Sequence, residues 1–381
     1  MANELPRVFV DRIDIEGFKS IRSASIELKP LNVLIGGNGV GKSNFLEYFR
    51  MLIASLDARI DGYVNSRGGA WSYLHRGPKV TERIQGAIRL QTEGGPCTLY
   101  QNLVFRSPDT LTYDQRHSPT SMRDKSKEVV FEDLCSVVAD GAGRPGQLAY
   151  FGLKDGIGIY HFHDTSRTGP LRKYAAVNDN VRLDAEGSNL ASMLYAYSQR
   201  ARSEQRNTKF SLAASTYRRI VRLVRKFFPS FHDFVLEPDR PNEERILLRW
   251  RQASGDYIYG PHQFSDGTLR AIALATLLEQ PANELPNLVL LDEPELGLHP
   301  YGIELVVELI RKVSQRAQVV VATQSPLFLD FFTPEEIIVV DADLESSQFR
   351  RLKHEELQAW LQDYTLSELW QKNVFGGGPL A

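Results

Sequence analysis

Leu31-Asn32-Val33-Leu34-Ile35-Gly36-Gly37-Asn38-Gly39-Val40-Gly41-Lys42-Ser43 joins an apolar run to a glycine-rich turn. Leu31 to Ile35 reads as a short strand suited to a buried sheet position. From Ser43 onward, Phe45, Leu46, Phe49, Leu52 and Ile53 recur at helical spacing. Between them, Gly36 to Ser43 fits G-x-x-x-x-G-K-[ST] at every fixed position. Strand, glycine turn and helix in this order open a nucleotide-binding α/β unit.

The chemistry follows from the residue types. Glycines let the backbone turn tightly and aim its N–H groups at phosphate oxygens, and the helix start adds a positive dipole end. Gly36, Gly37, Asn38, Gly39, Val40, Gly41, Lys42, Ser43 and Asn44 are therefore the expected nucleotide contacts. Lys42 is expected on the β- and γ-phosphates. The Ser43 hydroxyl is the expected ligand of Mg²⁺, which takes few protein ligands and shares phosphate oxygens and water. ATP and Mg²⁺ are the implied cofactors. The bland alternative is a glycine turn with a stray Gly-Lys-Ser.

Further along, Asn287-Leu288-Val289-Leu290-Leu291-Asp292-Glu293 is an apolar strand ending in two adjacent acids. Asp292 is placed to order magnesium through water. Glu293 is placed to polarise the water that attacks the γ-phosphate, so hydrolysis is expected. Alone, such a segment could equally be a strand with a solvated acidic turn.

Phe264-Ser265-Asp266-Gly267-Thr268-Leu269-Arg270 precedes a second apolar helix. Ser265 or Asp266 can cap it, and Gly267 leaves room for close backbone approach. One nucleotide does not need two phosphate cradles in one chain. Ser265, Asp266, Gly267 and Thr268 are therefore expected to face the nucleotide of a partner subunit in a two-fold dimer. The alternative is an ordinary capped helix.

Elsewhere, Arg12 to Ile15, Ile26 to Leu28, Ile246 to Trp250 and Val319 to Thr323 read as strands. Thr268 to Gln280 and Ile303 to Val313 read as helices. Between about Gly94 and Ser230 the pattern is less regular, with Gly/Pro clusters at Gly141 to Gly146 and a polar run at Ser118 to Lys127. The expected organisation is a head split between 1–105 and 236–381, with an inserted, partly helical lobe at 106–235.

With 42% hydrophobic and 24% charged residues, the chain is composed as an ordinary globular protein. Its net charge of -2 predicts no general attraction to polyanions. Cys97 and Cys135 cannot build a disulfide scaffold or a zinc cluster, and a reducing cytoplasm is expected. No apolar run is long enough for a membrane span, so neither export nor insertion is expected.

The order of Gly36–Ser43, Ser265–Thr268, Leu288–Glu293 and Pro294-Glu295-Leu296-Gly297-Leu298-His299-Pro300 resembles the ABC-type ATPase heads related to RecF, SMC and Rad50. It is similar in particular to bacterial RecF-like AAA ATPases and the ATPase part of OLD proteins. The resemblance implies a P-loop NTPase of ABC-ATPase-like α/β fold with a mixed sheet, dimerising around ATP. Ile13-Asp14-Ile15-Glu16-Gly17-Phe18-Lys19-Ser20 resembles the first strand and turn of that group, which makes Lys19 a nucleotide contact. Glu295 to His299 would lie at the dimer interface. Where the family commonly has a γ-phosphate-sensing histidine, this chain has Gln324, which can hydrogen-bond but cannot become a cation near neutral pH. Slow turnover is the expectation. The family's usual glutamine after the first helix has only Gln85 and Gln91 as weak counterparts.

No coiled-coil arms of SMC or Rad50 length can be drawn, and no nuclease half of the OLD kind follows. A separately encoded effector, nuclease or toxin, is the expected partner, in bacterial DNA maintenance or phage defence. The rival is a nucleotide-gated scaffold with negligible turnover that docks or inhibits such a partner. A transporter subunit is a further rival, disfavoured by the RecF-like opening. Arg200, Arg202, Arg206, Lys209, Arg218, Arg219, Arg222, Arg225 and Lys226 form a basic stretch that could meet DNA or be a solvated helix face. His161-Phe162-His163-Asp164 offers at most two metal ligands on one strand face and is read as structural.

Overall fold

The computed structural model describes residues 6–113, 128–129, 137–140, 144–205, 212–343 and 345–378. Cys135, Arg206, Lys209, Ser118 to Lys127 and the first three residues of the Gly141 to Gly146 cluster lie outside them. Backbone contacts group the chain into two compact units. The first is Met1–Ile159, Pro286–Leu290 and Ala317–Ala381, and the second is Tyr160–Leu285 and Leu291–Arg316.

The first unit contains a six-stranded sheet in the order Ser347–Arg351, Ile337–Ala342, Leu31–Ile35, Gln318–Thr323, Leu288–Asp292, Ile157–Tyr160. Leu31–Ile35 pairs in parallel with both Gln318–Thr323 and Ile337–Ala342, while Ser347–Arg351 closes its edge antiparallel. This is a mixed sheet. Leu31–Ile35 and Gln318–Thr323 are buried at every residue, as parallel strands covered on both faces require, and this explains why they are apolar except at Asn32, Gln318 and Thr323. Leu291 and Asp292, which end their strand, group with the second unit.

A second, antiparallel sheet is built on Val8–Phe18, flanked by Ile21–Glu27 and Arg83–Thr92, with Gly95–Arg106 beyond. Its inward residues Ile13, Ile15, Ile84, Ile88 and Leu99 share one core with Phe45, Leu46, Phe49 and Leu52 of the helix Lys42–Leu56. The 12-residue strand Gly95–Arg106 and the sheet strand Ile157–Tyr160 both fall in the stretch whose composition reads as irregular.

In the second unit, helices Leu190–Gln205, Leu212–Phe227, Asp266–Leu278 and Pro300–Ser314 accompany two three-stranded sheets. Ile246 to Trp250 is not one strand. Asn242–Ile246 and Arg249–Gln252 belong to different sheets, with the break at Leu247 and Leu248. Ile246, Leu248 and Trp250 are all buried, so the alternation continues through the break and mimics a single strand. The helix expected from Thr268 begins at Asp266, two residues earlier than its apolar periodicity suggests, because Ser265 caps it; Phe264–Arg270 is called the signature segment below.

Candidate functional site: a phosphate loop and a signature segment

In the first unit, the loop after Leu31–Ile35 is held by hydrogen bonds within the chain. Gly41 precedes the helix in a left-handed conformation (φ 118°), and no side chain caps the helix. A Cβ on Gly41 would lie 2.1 Å from the Ser347 hydroxyl, and one on Gly36 would lie 2.2 Å from the Val340 carbonyl, so both positions require glycine. Lys42 is 7% exposed, and its ammonium donates to the carbonyls of Gly36 and Gly37, each at 2.7 Å. A buried ammonium needs acceptors, and the loop's own carbonyls supply them. These features fit a phosphate: glycine where side chains would obstruct, a helix start without a capping side chain, and a cation within the turn. Ser43 and Asn44 lie in the first turn of that helix.

The turn at Lys19 is tied to the same helix. Ser20 accepts from Asn44 Nδ2 and from the Ser347 hydroxyl, each at 2.7 Å, and Ser347 also donates to the Val40 carbonyl at 2.6 Å. Lys19 itself has φ 46°, and its ammonium lies 4.5 Å from the Tyr73 ring centroid. Burial pulls its pKa down, against the opposing charge of Glu47. Glu47 accepts from the hydroxyls of Tyr63 and Tyr73, at 2.5 and 3.0 Å. Burial and the Glu47 charge push the Tyr73 hydroxyl up to about 12, so it stays a donor.

Gln324 directly follows the strand Gln318–Thr323, whose last residue pairs with Ile35. Register therefore sets Gln324 at the strand end from which the phosphate loop also departs.

In the second unit, the signature segment is equally well held. Ser265 accepts from the Thr268 N–H at 3.1 Å and bonds the Thr268 hydroxyl at 2.7 Å, capping the helix Asp266–Leu278. Ser265 and Asp266 are exposed. Gly267 backs onto the segment after the acidic pair: a Cβ there would stand 2.3 Å from the Gly297 carbonyl. Phe264, the preceding residue, stacks on Trp250 at 4.7 Å, and Tyr259 stacks on the same indole at 4.5 Å.

Asp292 ends its strand half-buried, and Glu293 follows in a left-handed conformation (φ 45°). For a non-glycine residue this backbone is uncommon. His299 is the N-cap of Pro300–Ser314, its Nδ1 accepting from the Tyr301 N–H at 3.4 Å.

Three residues that the sequence did not single out for this role organise the second unit's half. Buried Arg172 donates to the carbonyls of Thr165, Pro261 and Phe264 and to the Asp266 carboxylate at 2.8 Å, clamping the signature segment from behind. Arg270 donates to the carbonyls of Phe162, His163 and Leu296, at 3.0, 2.9 and 3.1 Å. His163 Nε2 in turn contacts the Asp292 carbonyl at 3.0 Å, linking the signature helix to the acidic strand end. Neither arginine carries a motif signal, because what they bind is mostly backbone carbonyl. His161 Nε2 lies 3.2 Å from Glu186 Oε1, and among the described residues there is no cluster of three His, Cys, Asp or Glu that could hold a metal.

The basic stretch is partly committed. Arg200 pairs with Glu284, Arg219 pairs with buried Glu279, and Arg225 donates to the His232 carbonyl, leaving Arg218, Arg222 and Lys226 on the exposed face. Gln91 donates to Asp11, and Gln85 lies within the strand Arg83–Thr92. No described helix is long and apolar enough to cross a membrane.

The fold is P-loop and ABC-ATPase-like, and the comparisons with known proteins agree with it. Residues 152–330 match the family described as "AAA domain, putative AbiEii toxin, Type IV TA system", and residues 9–89 match "AAA ATPase domain". Among solved structures, the chain is similar to an Smc head bound to the C-winged helix domain of ScpA (TM-score 0.60, 14% identity, 91% of this chain and 99% of that one). It is also similar to Smc heads from Pyrococcus furiosus (0.58, 14%, 93% and 99%) and Pyrococcus yayanosii (0.54, 11%, 93% and 99%). No curated protein matches the chain.

Proposed function

We propose that this chain binds Mg²⁺-ATP and hydrolyses it between two copies of itself. Gly36 to Asn44 and Lys19 of one copy hold the triphosphate, and Ser265 to Thr268 of the other close over it. The observation that carries this reading is the preformed loop, with Lys42 on the carbonyls of Gly36 and Gly37 and a glycine start to its helix that no side chain caps. Bound Mg²⁺ would supply positive charge to the β- and γ-phosphate oxygens, with Ser43 and Asp292 as the residues to hold it. Glu293 accepts the proton of the attacking water, and its constrained backbone keeps the carboxylate aimed. Gln324 donates a neutral hydrogen bond in place of a histidine.

Closing on ATP and reopening on hydrolysis would drive or regulate a separately encoded effector, a nuclease or toxin, in DNA maintenance or phage defence. The toxin–antitoxin description of the matched family and the partner-bound Smc neighbour support a protein partner. DNA contact through Arg218 and Arg222 is an accessory proposal. Gln324 also favours a second reading, a nucleotide-gated scaffold that turns over very slowly.

Glu293→Gln tests the assignment. It should bind Mg²⁺-ATP with parental affinity, lose about 10²–10⁴-fold in phosphate release, and accumulate as a dimer by light scattering. Parental turnover in this variant rules out Glu293 as the base. A parental protein that dimerises on ATP with no measurable phosphate release favours the scaffold.

A further inference from the structure

Glu293 takes its left-handed backbone (φ 45°) immediately after the strand Leu288–Asp292. In a non-glycine residue such a conformation persists only where the surroundings fix it. Both peptide units that flank its Cα are held. The carbonyl before it, that of Asp292, lies 3.0 Å from His163 Nε2. A carbonyl can only accept, so Nε2 carries the proton and donates. The carbonyl of Glu293 itself accepts from the Leu296 N–H at 3.2 Å.

The two holders share one anchor. Arg270, on the helix Asp266–Leu278, donates to the His163 carbonyl at 2.9 Å and to the Leu296 carbonyl at 3.1 Å. It also donates to the carbonyl of buried Phe162 at 3.0 Å. The imidazole therefore reaches Asp292 from a backbone that is itself tied down. The cavity that His163 lines with Asp292 and Glu293 measures only ≈ 10 Å³, room for about one water.

A peptide unit is planar, so a donor on the Asp292 oxygen also fixes the Glu293 nitrogen and the axis about which φ turns. With the following unit held by Leu296, the direction of the Glu293 Cα–Cβ bond is set. We infer that His163 is a positioning residue for hydrolysis: by holding the Asp292–Glu293 peptide it aims the Glu293 carboxylate at the attacking water. In this role it serves the chemical step and not nucleotide binding. The inference rests on the reading of Glu293 as the base.

Calorimetry with Mg²⁺-ATP, ATP-dependent dimerisation and single-turnover phosphate release test it, on the full chain and on His163→Asn, His163→Gln, Glu293→Gln and the double variant His163→Asn with Glu293→Gln. Glutamine can bring its amide to the place of Nε2, whereas asparagine stops short of it. His163→Asn should bind Mg²⁺-ATP and dimerise as the parent does, while phosphate release falls about 10²-fold, the cost of a misplacement of about 1 Å. His163→Gln should recover most of that loss. On top of Glu293→Gln, His163→Asn should cost nothing further, because the carboxylate it aims is gone. Parental release in His163→Asn overturns the positioning role, and so does equal loss in the two His163 variants. A full additional loss on top of Glu293→Gln, or ATP affinity falling in step with turnover, overturns it as well, since His163 would then act by another route. Parental release in Glu293→Gln instead removes the base reading itself, and this inference with it.

Discussion

Two helix starts in this molecule solve the same problem in opposite ways. The helix Lys42–Leu56 begins at a left-handed glycine with no side-chain cap, and a lysine is buried on carbonyls of its own loop. The helix Asp266–Leu278 begins at Ser265, whose hydroxyl satisfies the Thr268 N–H, on a segment clamped by Arg172 and stacked on Trp250. The first start lacks a side-chain acceptor for its early N–H groups, which a phosphate would provide. The second is satisfied by its own side chain and exposes Ser265 and Asp266. In the proposed shared site, the first start would grip the nucleotide and the second, self-capped and surface-presented, would recognise it once bound.

This contrast can be broken most strongly at Lys42. Lys42→Ala removes the only side-chain cation that bonds the loop carbonyls of Gly36 and Gly37 among the described residues, and should weaken ATP binding roughly hundredfold. Calorimetry measures it, and near-parental affinity would place the triphosphate elsewhere. Gly267→Ala sharpens the other side. Its Cβ would press on the Gly297 carbonyl at 2.3 Å, a cost of about 1–3 kcal/mol. ATP-dependent dimerisation should weaken about tenfold at that cost while binding to the single chain is retained. Loss of nucleotide binding in the monomer would contradict the division of labour. The smallest effect is expected at the cap itself: Ser265→Ala should lower stability by about 1 kcal/mol, seen as a lower melting temperature. A stability unchanged by removing this hydroxyl would mean that the helix start is held by Arg172 and Trp250 alone.

The sequence was most legible where local chemistry is demanding. Leu31–Ile35 and the helix that follows were read nearly to the residue, because unbroken burial and a 3.6-residue period are both local signals. A cap at Ser265 or Asp266 followed from residue type and position, and Ser265 is the one that takes it. Distant partners left no such trace. Arg172 lies far along the chain from the carbonyls and carboxylate it holds, and Ser347 reaches the phosphate loop from the opposite end of the sequence. His163 reads as structural, but its contact with the backbone carbonyl at the acidic strand end left no trace in the sequence. Gly95–Arg106 was obscured by its Gly-Pro opening and polar residues, although pairing with Arg83–Thr92 makes it a long strand. The division at 105/106 and 235/236 rests on composition and stays a proposal beside the contact-based units.

The central claim is that each triphosphate is completed by a second copy, and mixing two crippled variants tests it most directly. Lys42→Ala keeps an intact Ser265–Thr268 segment, and Ser265→Arg keeps an intact phosphate loop. Alone, each should release almost no phosphate. Mixed in equal amounts, they should recover up to about a quarter of the parental rate, because half the dimers are mixed and each of those has one whole site. Phosphate release from the mixture no greater than the sum of the separate variants would contradict a site shared between two copies.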